Sequence, residues 1–381
     1  MAKILVCHSD AGNGPLSAAT ALAEAISAVS HGETQVSIVD VLEETNRLGF
    51  MVTGLYNYLL SKSLAWNSVG LRIIYNSSLV KSGALLAESV GSMKRLLQRE
   101  APDAILFTNP WIIGYVLRAV RLYEGRRPKL ISVVVDIGDD LPPGWLHQEI
   151  DLFVVASDEA RADLARLGAD PSKVKVLGMP IRTAFLDGRG DERGRPCLEC
   201  GATTRILLMA GRSGSRNTYP ILRGLLELDA SFHVTVQCGR NPSLRGRVEE
   251  LSARPRARGE KPQRHVETLG FVPNIGEYMQ AADVVVTKPG ALTVSEAITL
   301  KLPLILDVYP MVMGQELGNV RYVESHHLGL IAPTPDDVPR LVARFLEDEG
   351  LRNGLRENFM TAPRLGNTFE IAREILGCMG G

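Results

Sequence analysis

The stretch "DVVVTKPGALTVSEAITLKLPLILDV" (residues 283–308) predicts a strand, a helix and a second strand in immediate succession. Both apolar runs are continuous rather than alternating, which is typical of parallel strands that are buried on both faces. Proline and glycine after the first run mark the turn that precedes the helix. A strand–helix–strand unit of this kind predicts an α/β fold with a doubly wound parallel sheet.

The same alternation of strands and helices occurs in two sets along the chain. Glycine, proline and charge replace the apolar pattern near residue 190, and the pattern then begins again, so we predict two α/β domains joined by a linker. The predicted strands are "KILVC" (3–7), "QVSIVDV" (35–41), "DAILF" (103–107), "KLISVVVD" (129–136) and "LFVVAS" (152–157), followed by "RILLMAG" (205–211), "FHVTVQCG" (232–239), "HVETLGF" (265–271), "DVVVTKPG" (283–290), "LPLILDV" (302–308) and "GLIAP" (329–333).

Length and composition exclude several classes of protein. A chain of 381 residues favours two domains with a cleft between them. Apolar residues make up 45% and charged residues 22%, and the net charge of -1 gives no overall attraction for nucleic acid. Five cysteines without framework spacing indicate a reducing compartment, and no apolar run is long enough to span a bilayer. We therefore predict a cytoplasmic protein with no nucleic-acid partner.

The turn "SDAGNGP" (residues 9–15) lies between the first strand and the first helix. Ligands of open α/β sheets bind beyond the carboxyl ends of the strands. Gly12 and Gly14 let a backbone approach a ligand closely, and a phosphate suits the free N–H groups of the helix start. Glycine required by turn geometry alone is the alternative. The turn has neither the GxGxxG spacing of dinucleotide folds nor the GK[ST] of a P-loop, which disfavours both classes.

A second turn carries more specific chemistry. The strand that ends at "TKPG" (287–290) is followed by a helix that opens at about Ala291 and carries Glu296 one to two turns inside it. A diphosphate suits the helix start, and a carboxylate can accept the hydroxyls of a diol with its two oxygens. The next turn, "GQELGN" (314–319), offers further polar groups. Diphosphate, ribose diol and sugar hydroxyls are the parts of a nucleotide sugar.

These motifs resemble a known family, which includes monogalactosyldiacylglycerol synthases, bacterial processive diacylglycerol glucosyltransferases and, more distantly, the peptidoglycan lipid-linked N-acetylglucosaminyl transferase. The resemblance covers most of the chain and implies the GT-B architecture, two Rossmann-like domains with the active site between them. The segments that carry it are "SDAGNGPLSAATALAEAI" (9–26), "YNYLLSKSLAW" (56–66), "VVVDIGDDLPPGW" (133–145), "GFVPN" (270–274), "TKPGALTVSEA" (287–297) and "GQELGN" (314–319).

The resemblance implies a set of donor-binding residues. Phe271 and Val272 would meet uracil through backbone groups, and Glu296 would take the ribose hydroxyls. Gln315 and Glu316 would bind the hexose hydroxyls. Arg212 and Arg216, which are unusual for the family, would add a charge clamp for the departing UDP. The remaining donor-binding residues implied are Ser213, Gly214, Gly290, Ala291, Leu292 and Asn319.

Pro15 is the main departure from the family. A histidine normally stands at this position and is a candidate for the base, whereas proline is well tolerated in the first turn of a helix. Transfer with inversion needs a base, and a carboxylate can act as one. Asp10, at the end of the first strand, is the first candidate, and Asp136, at the end of the "KLISVVVD" strand, is the second. Capping of a turn or helix is the alternative role for either residue.

The sequence thus predicts a domain order and a function. We expect an acceptor domain at residues 1–187, a linker at 188–204, a donor domain at 205–360 and a C-terminal helix at 361–381 that returns to the first domain. The expected activity is inverting transfer of a hexose from UDP-glucose or UDP-galactose to a lipid hydroxyl such as diacylglycerol. Neither a cofactor nor a metal is implied, since the UDP-sugar is the co-substrate.

The apolar segment 50–93 would bring the acceptor domain to an anionic membrane surface, so we expect peripheral membrane association. A pair of core helices is the alternative for this segment. Two alternatives to the function are transfer to a soluble secondary-metabolite acceptor and a catalytically silent protein that binds nucleotide sugars, which Pro15 favours.

Overall fold

The chain folds into two parallel β-sheets of six strands each, both flanked by helices. The computed structural model describes residues 1–9, 14–45, 83–186, 203–253, 264–309 and 314–380. Asp10, Gly12, most of the segment 50–93 and nearly all of the expected linker 188–204 lie outside these residues. Thr204, assigned to the linker by the sequence, is the first residue of a strand. The two sheets confirm the α/β fold class.

The first sheet has the strand order β2-β1-β3-β4-β5-β6, and all of its pairings are parallel. Its central strands are short apolar runs that are buried along their whole length, as the continuous pattern predicts. The strands are β1 (Ala2–His8), β2 (Thr34–Asp40), β3 (Ala104–Phe107), β4 (Lys129–Val133), β5 (Leu152–Val155) and β6 (Val174–Val176).

Helices connect these strands and cover both faces of the sheet. They are α1 (Gly14–Val29), α2 (Val41–Thr45), α3 (Gly83–Glu100), α4 (Pro110–Arg121) and α5 (Asp158–Leu167). Two of the starts follow ordinary capping chemistry: Asn109 accepts from the N–H of Trp111 at α4, and Ser157 accepts from the N–H of Ala160 at α5.

The second sheet has the order β12-β11-β10-β7-β8-β9, again with parallel pairing throughout. Its strands are β7 (Thr204–Met209), β8 (Phe232–Gln237), β9 (Arg264–Leu269), β10 (Val284–Thr287), β11 (Leu304–Asp307) and β12 (Gly329–Ala332). Its helices are α6 (Thr218–Leu225), α7 (Pro242–Ala253), α8 (Ile275–Ala281), α9 (Ala291–Thr299), α10 (Gly314–Ser325), α11 (Asp337–Glu347) and α12 (Glu349–Thr361).

The last helix, α13 (Thr368–Met379), lies against α1 of the first sheet. Its buried residues Ile371, Ala372 and Ile375 join the apolar cluster under β1, β3 and β4. Ahead of this helix, Met179 and Gly366 pair as a parallel bridge, which ties the chain after the second sheet to the end of the first. The chain thus returns to the first sheet after it has completed the second.

Among the helices in the described part of the chain, none combines the length and apolarity that crossing a bilayer requires.

Candidate functional site

The first turns of two helices, one from each half, lie next to each other. Helix α1 follows β1 and begins at Gly14, and helix α9 follows β10 and begins at Ala291. A methyl group built on Gly14 would lie 4.0 Å from Cδ1 of Leu292. Both helix starts follow the carboxyl ends of parallel strands, where α/β proteins bind ligands. The contact therefore brings the glycine turn of the first half to the predicted diphosphate turn of the second.

The start of α1 is fixed to the first sheet through Pro15. The backbone oxygen of Pro15 accepts a hydrogen bond from Oγ1 of Thr108 at 3.0 Å, and Thr108 is buried directly after β3. Proline is the second residue of α1, where it does not interrupt the helical hydrogen bonds. The departure from the family at this position is compatible with an ordinary helix start.

Asp136 lies three residues beyond the end of β4 and is almost fully buried. Oδ2 of Asp136 accepts a hydrogen bond from the indole nitrogen of Trp145 at 3.0 Å. Burial raises the pKa of Asp136 to about 6, and the hydrogen bond from Trp145 opposes this rise. A carboxylate with this pKa changes ionisation close to neutral pH, as a general base requires. Asp10, the other candidate, lies outside the described residues.

Glu296 lies in the second turn of α9 and is 4% exposed. Nε and Nη2 of Arg182 both donate to Oε1 of Glu296, at 3.1 and 2.9 Å. Burial raises the pKa of the Glu296 carboxyl, and the charge and hydrogen bonds of Arg182 oppose that rise. Arg182 belongs to the segment that follows β6, so the ion pair joins the two halves next to the predicted ribose site.

The start of α9 has the features of an anion site. Gly290 is the N-cap in extended conformation, with no side-chain cap for the first N–H groups, which belong to Ala291 and Leu292. A methyl group built on Gly290 would meet no atom within 4 Å. Free N–H groups and the positive end of the helix dipole attract an anion into such a space.

The turn after β7 contains Ser213 and Gly214. Gly214 has a φ of +80°, and a methyl group there would overlap the side chain of Asn241, so glycine is required on both counts. Asn241 also donates to the backbone oxygen of Ser213 at 3.4 Å. The structure thus holds this turn in one conformation against the start of α7.

Phe271, in the turn after β9, is 47% exposed, whereas Val272 packs on the core. The guanidinium of Arg240 lies 4.6 Å from the centre of the Phe271 ring, which is a cation–π contact. The predicted backbone contacts of both residues with uracil stay a prediction.

Helix α10 carries the three polar residues of "GQELGN". The side chain of Gln315 is not described, and Glu316 is half-buried. Asn319 is 1% exposed and bonds to both halves: its Oδ1 accepts from Ile137 N at 3.2 Å, and its Nδ2 donates to Pro289 O at 2.9 Å. These bonds engage the amide of Asn319 in the protein, whereas the sequence assigned it to the donor.

Three residues around the candidate site were not predicted from the sequence. Arg182 and Trp145 stood inside segments that resembled the family but matched no motif of their own. Asn217 donates a hydrogen bond from Nδ2 to Oδ2 of the buried Asp307 at 2.7 Å, and these two residues are 90 positions apart in the sequence. The long-range pairs of Arg182 and Asn217 form only through the tertiary fold, so no local spacing could reveal them.

Two family models match the chain. Residues 16–181 match the model for monogalactosyldiacylglycerol (MGDG) synthase, and residues 213–356 match the C-terminal domain of glycosyltransferase family 28. The first range contains Asp136 and the second contains Glu296.

Individual relatives extend along nearly the whole chain. The processive diacylglycerol beta-glucosyltransferase of Bacillus pumilus is 29% identical over 365 residues, which cover 93% of this chain and 90% of that protein. Monogalactosyldiacylglycerol synthase 1 of Arabidopsis thaliana is 26% identical over 362 residues, which cover 90% of this chain and 64% of that protein.

A solved structure with a similar fold is MurG of Acinetobacter baumannii. It superimposes with a TM-score of 0.69 at 16% identity, covering 99% of this chain and all of the other. At this identity the likeness shows the fold alone. Together with the two parallel sheets, it confirms the GT-B architecture.

Proposed function

We propose that this chain, which matches the family models for monogalactosyldiacylglycerol (MGDG) synthase and for the C-terminal domain of glycosyltransferase family 28 and resembles diacylglycerol glycosyltransferases along most of its length, transfers a hexose from UDP-glucose or UDP-galactose to the hydroxyl of diacylglycerol. The observation that supports this most is the meeting of α1 and α9 at their first turns, with Glu296 buried in α9. A donor on α9 would then lie next to the turn from the first domain. The acceptor would approach from residues 1–187, and the donor would occupy residues 205–360.

We propose that the donor is held along α9. Its diphosphate would accept hydrogen bonds from the N–H groups of the first turn, and Oε2 of Glu296 would accept a ribose hydroxyl while Arg182 stabilises the charge on Oε1. Phe271, Val272, Ser213 and Gly214 would bind the base and phosphates, and Gln315 and Glu316 the hexose.

The proposed step is a single displacement with inversion. The acceptor hydroxyl oxygen forms a bond to the anomeric carbon, and the bond from that carbon to the UDP oxygen breaks with its electron pair on UDP. The hydroxyl proton goes to a carboxylate, for which Asp136 and Asp10 are the candidates. The helix dipole of α9 stabilises the charge that develops on UDP. The raised pKa of Asp136 supports it in this role.

The test is UDP release from a panel of UDP-sugars, with and without liposomes of diacylglycerol and anionic lipid. We expect release with one preferred hexose that depends on diacylglycerol. Release without any lipid would instead support a soluble acceptor. UDP binding without release under any condition would support the silent binding protein that Pro15 favours.

Replacement of Gly290 by alanine tests the diphosphate site. The backbone at Gly290 suits alanine and no atom lies near the added methyl group, so stability is expected to hold or rise by about 0.5 kcal/mol. The methyl group would occupy the space proposed for the diphosphate, so we expect KM for the UDP-sugar to rise at least about tenfold. Gly354→Ala in α12, also in open space, is the matched control. Unchanged KM in Gly290→Ala would contradict the site.

Replacement of Arg182 by alanine tests the ionisation of Glu296. Burial would then raise the pKa of Glu296 unopposed. We expect UDP to bind about tenfold more weakly at pH 7 and to recover affinity at higher pH, because a higher pH ionises the carboxyl. Calorimetric titration with UDP at pH 7 and at a series of higher pH values is the measurement, with Arg182→Lys as the charge-retaining control. A loss of affinity that does not depend on pH would contradict this role.

A further inference from the structure

The amide of Asn319 joins two turns that carry the proposed chemistry. Its Oδ1 accepts from the N–H of Ile137, the residue after Asp136, and its Nδ2 donates to the oxygen of Pro289, the residue before Gly290. One planar group therefore links the turn of the candidate base in the first half with the diphosphate turn in the second. The side chain is 1% exposed, so water does not compete for these bonds.

The backbones around Asn319 are in direct contact. A methyl group on Gly138 would overlap the backbone oxygen of Gly318, and a methyl group on Gly318 would overlap that of Asp139. Two glycines thus bring α10 against residues 137–139 with no side chain between them. This closeness allows a side chain as short as asparagine to reach across.

Asparagine suits this place for a chemical reason. The two bonds need an acceptor and a donor on one short side chain, which an amide supplies and a carboxylate does not. Removing the amide would leave the buried N–H of Ile137 and the buried carbonyl of Pro289 without their hydrogen-bond partner, which would cost about 1–3 kcal/mol for each group. An outer ion pair joins Arg321 of the same helix to Asp139 and Asp140 of the first half, but these side chains are about half exposed and so the pair contributes little.

We propose that Asn319 is a positioning residue that fixes Asp136 relative to the diphosphate turn and transmits donor binding to Asp136. The inference rests on the proposed function for the identity of the donor and the base. It assigns Asn319 a role between the two catalytic halves rather than a contact with the hexose.

The first test is the kinetic profile of Asn319→Ala and Asn319→Asp. Aspartate retains the acceptor for Ile137 N–H but places a carboxylate oxygen against the carbonyl of Pro289. We expect kcat to fall at least about 30-fold in both variants while KM for the UDP-sugar stays within about threefold, because donor contacts are retained. Arg321→Ala is the matched control on the same helix and is expected to retain kcat within twofold. A rise in KM with unchanged kcat would instead identify a donor contact and overturn the proposal.

The second test needs no turnover and uses Trp145, whose indole donates to Asp136. The three tryptophans are replaced by 5-fluorotryptophan, and the signal of Trp145 is identified with Trp145→Phe. We expect UDP to shift this fluorine signal in the native protein and in Arg321→Ala, but not in Asn319→Ala, with UDP binding checked by calorimetry. A normal shift in Asn319→Ala would overturn the proposal.

Gly318→Ala provides a variant in which Asn319 itself is intact. Its methyl group separates α10 from residues 137–139, so we expect the same loss of kcat and of the fluorine shift. If the proposed function is wrong, the native protein will release no UDP with any sugar or lipid. The fluorine shift requires only UDP, so it tests the role of Asn319 whether or not transfer occurs.

Discussion

Replacing Asp136 by asparagine is expected to lower kcat by at least about 100-fold while KM for the UDP-sugar stays within about threefold. General base catalysis contributes this much when a positioned carboxylate takes a proton in the transition state. Asparagine retains the acceptor for the Trp145 indole, so the local packing is preserved. Initial rates with diacylglycerol liposomes at saturating UDP-sugar measure the effect.

The dependence of kcat on pH tests the role of Asp136 as the base independently. Only the ionised carboxylate can accept a proton, and burial raises the pKa of Asp136 to about 6. We therefore expect kcat of the native enzyme to fall tenfold per pH unit below about pH 6, and we expect this limb to vanish in Asp136→Asn. An acid limb near pH 4 would contradict the role of Asp136.

Stability distinguishes a catalytic loss from a folding defect. Burial raises the pKa of Asp136 in the folded chain to about 6, whereas the pKa of a free aspartate is 3.8. Above pH 6, where Asp136 is ionised in both states, this difference lowers the free energy of unfolding by about 3 kcal/mol. At pH 7.5 Asp136→Asn removes this cost, and its thermal midpoint should not lie below that of the native protein.

Asp10→Asn is assayed in parallel. If Asp10→Asn loses activity and Asp136→Asn does not, Asp10 is the base.

Replacing Glu296 by alanine is expected to raise Kd for UDP about 100-fold. Hydrogen bonds to a charged group contribute about 1.5–3 kcal/mol each, and the proposed ribose contact would be lost. The Arg182 guanidinium would also lose its partner and leave a positive charge where a hydroxyl should donate. Calorimetric titration with UDP measures the total loss of affinity. Titration with uridine, which has no diphosphate, measures the part of the loss that arises at the ribose.

Two control variants show whether the loss of UDP affinity is specific to the carboxylate of Glu296. Glu296→Gln retains an acceptor without the charge and should fall between alanine and the native protein. Glu277→Ala removes an exposed carboxylate from α8 of the same domain and should bind UDP normally. Native UDP affinity in Glu296→Ala would remove Glu296 from the donor site.

Strands were largely predictable because burial on both faces leaves a continuous apolar run. β3 and β5 are entirely buried and lie within a residue or two of their predicted bounds. β6 was missed, since it has one buried and two exposed residues at the edge of the sheet and therefore shows no such run. β4 ends at Val133 rather than at Asp136, and the N–H of Ile137 beyond it bonds to Asn319 of the second half instead of to a neighbouring strand.

The candidate site was predictable where its residues lie close together in the sequence. Gly290 and Glu296 belong to one turn and one helix, so their spacing alone indicates a shared site. The bond between Ile137 and Asn319 joins residues 182 positions apart, and the ion pair between Arg182 and Glu296 joins residues 114 positions apart. Such contacts depend on how the two domains meet, and one sequence carries no local signal for them.

The most direct test of the account is transfer of labelled hexose into the lipid phase, with the anomeric configuration of the product read by proton NMR. We predict a hexosyl diacylglycerol of inverted configuration from one preferred UDP-sugar, and loss of this product in both Asp136→Asn and Glu296→Ala. Retained configuration, or no labelled lipid although UDP binds, would contradict it.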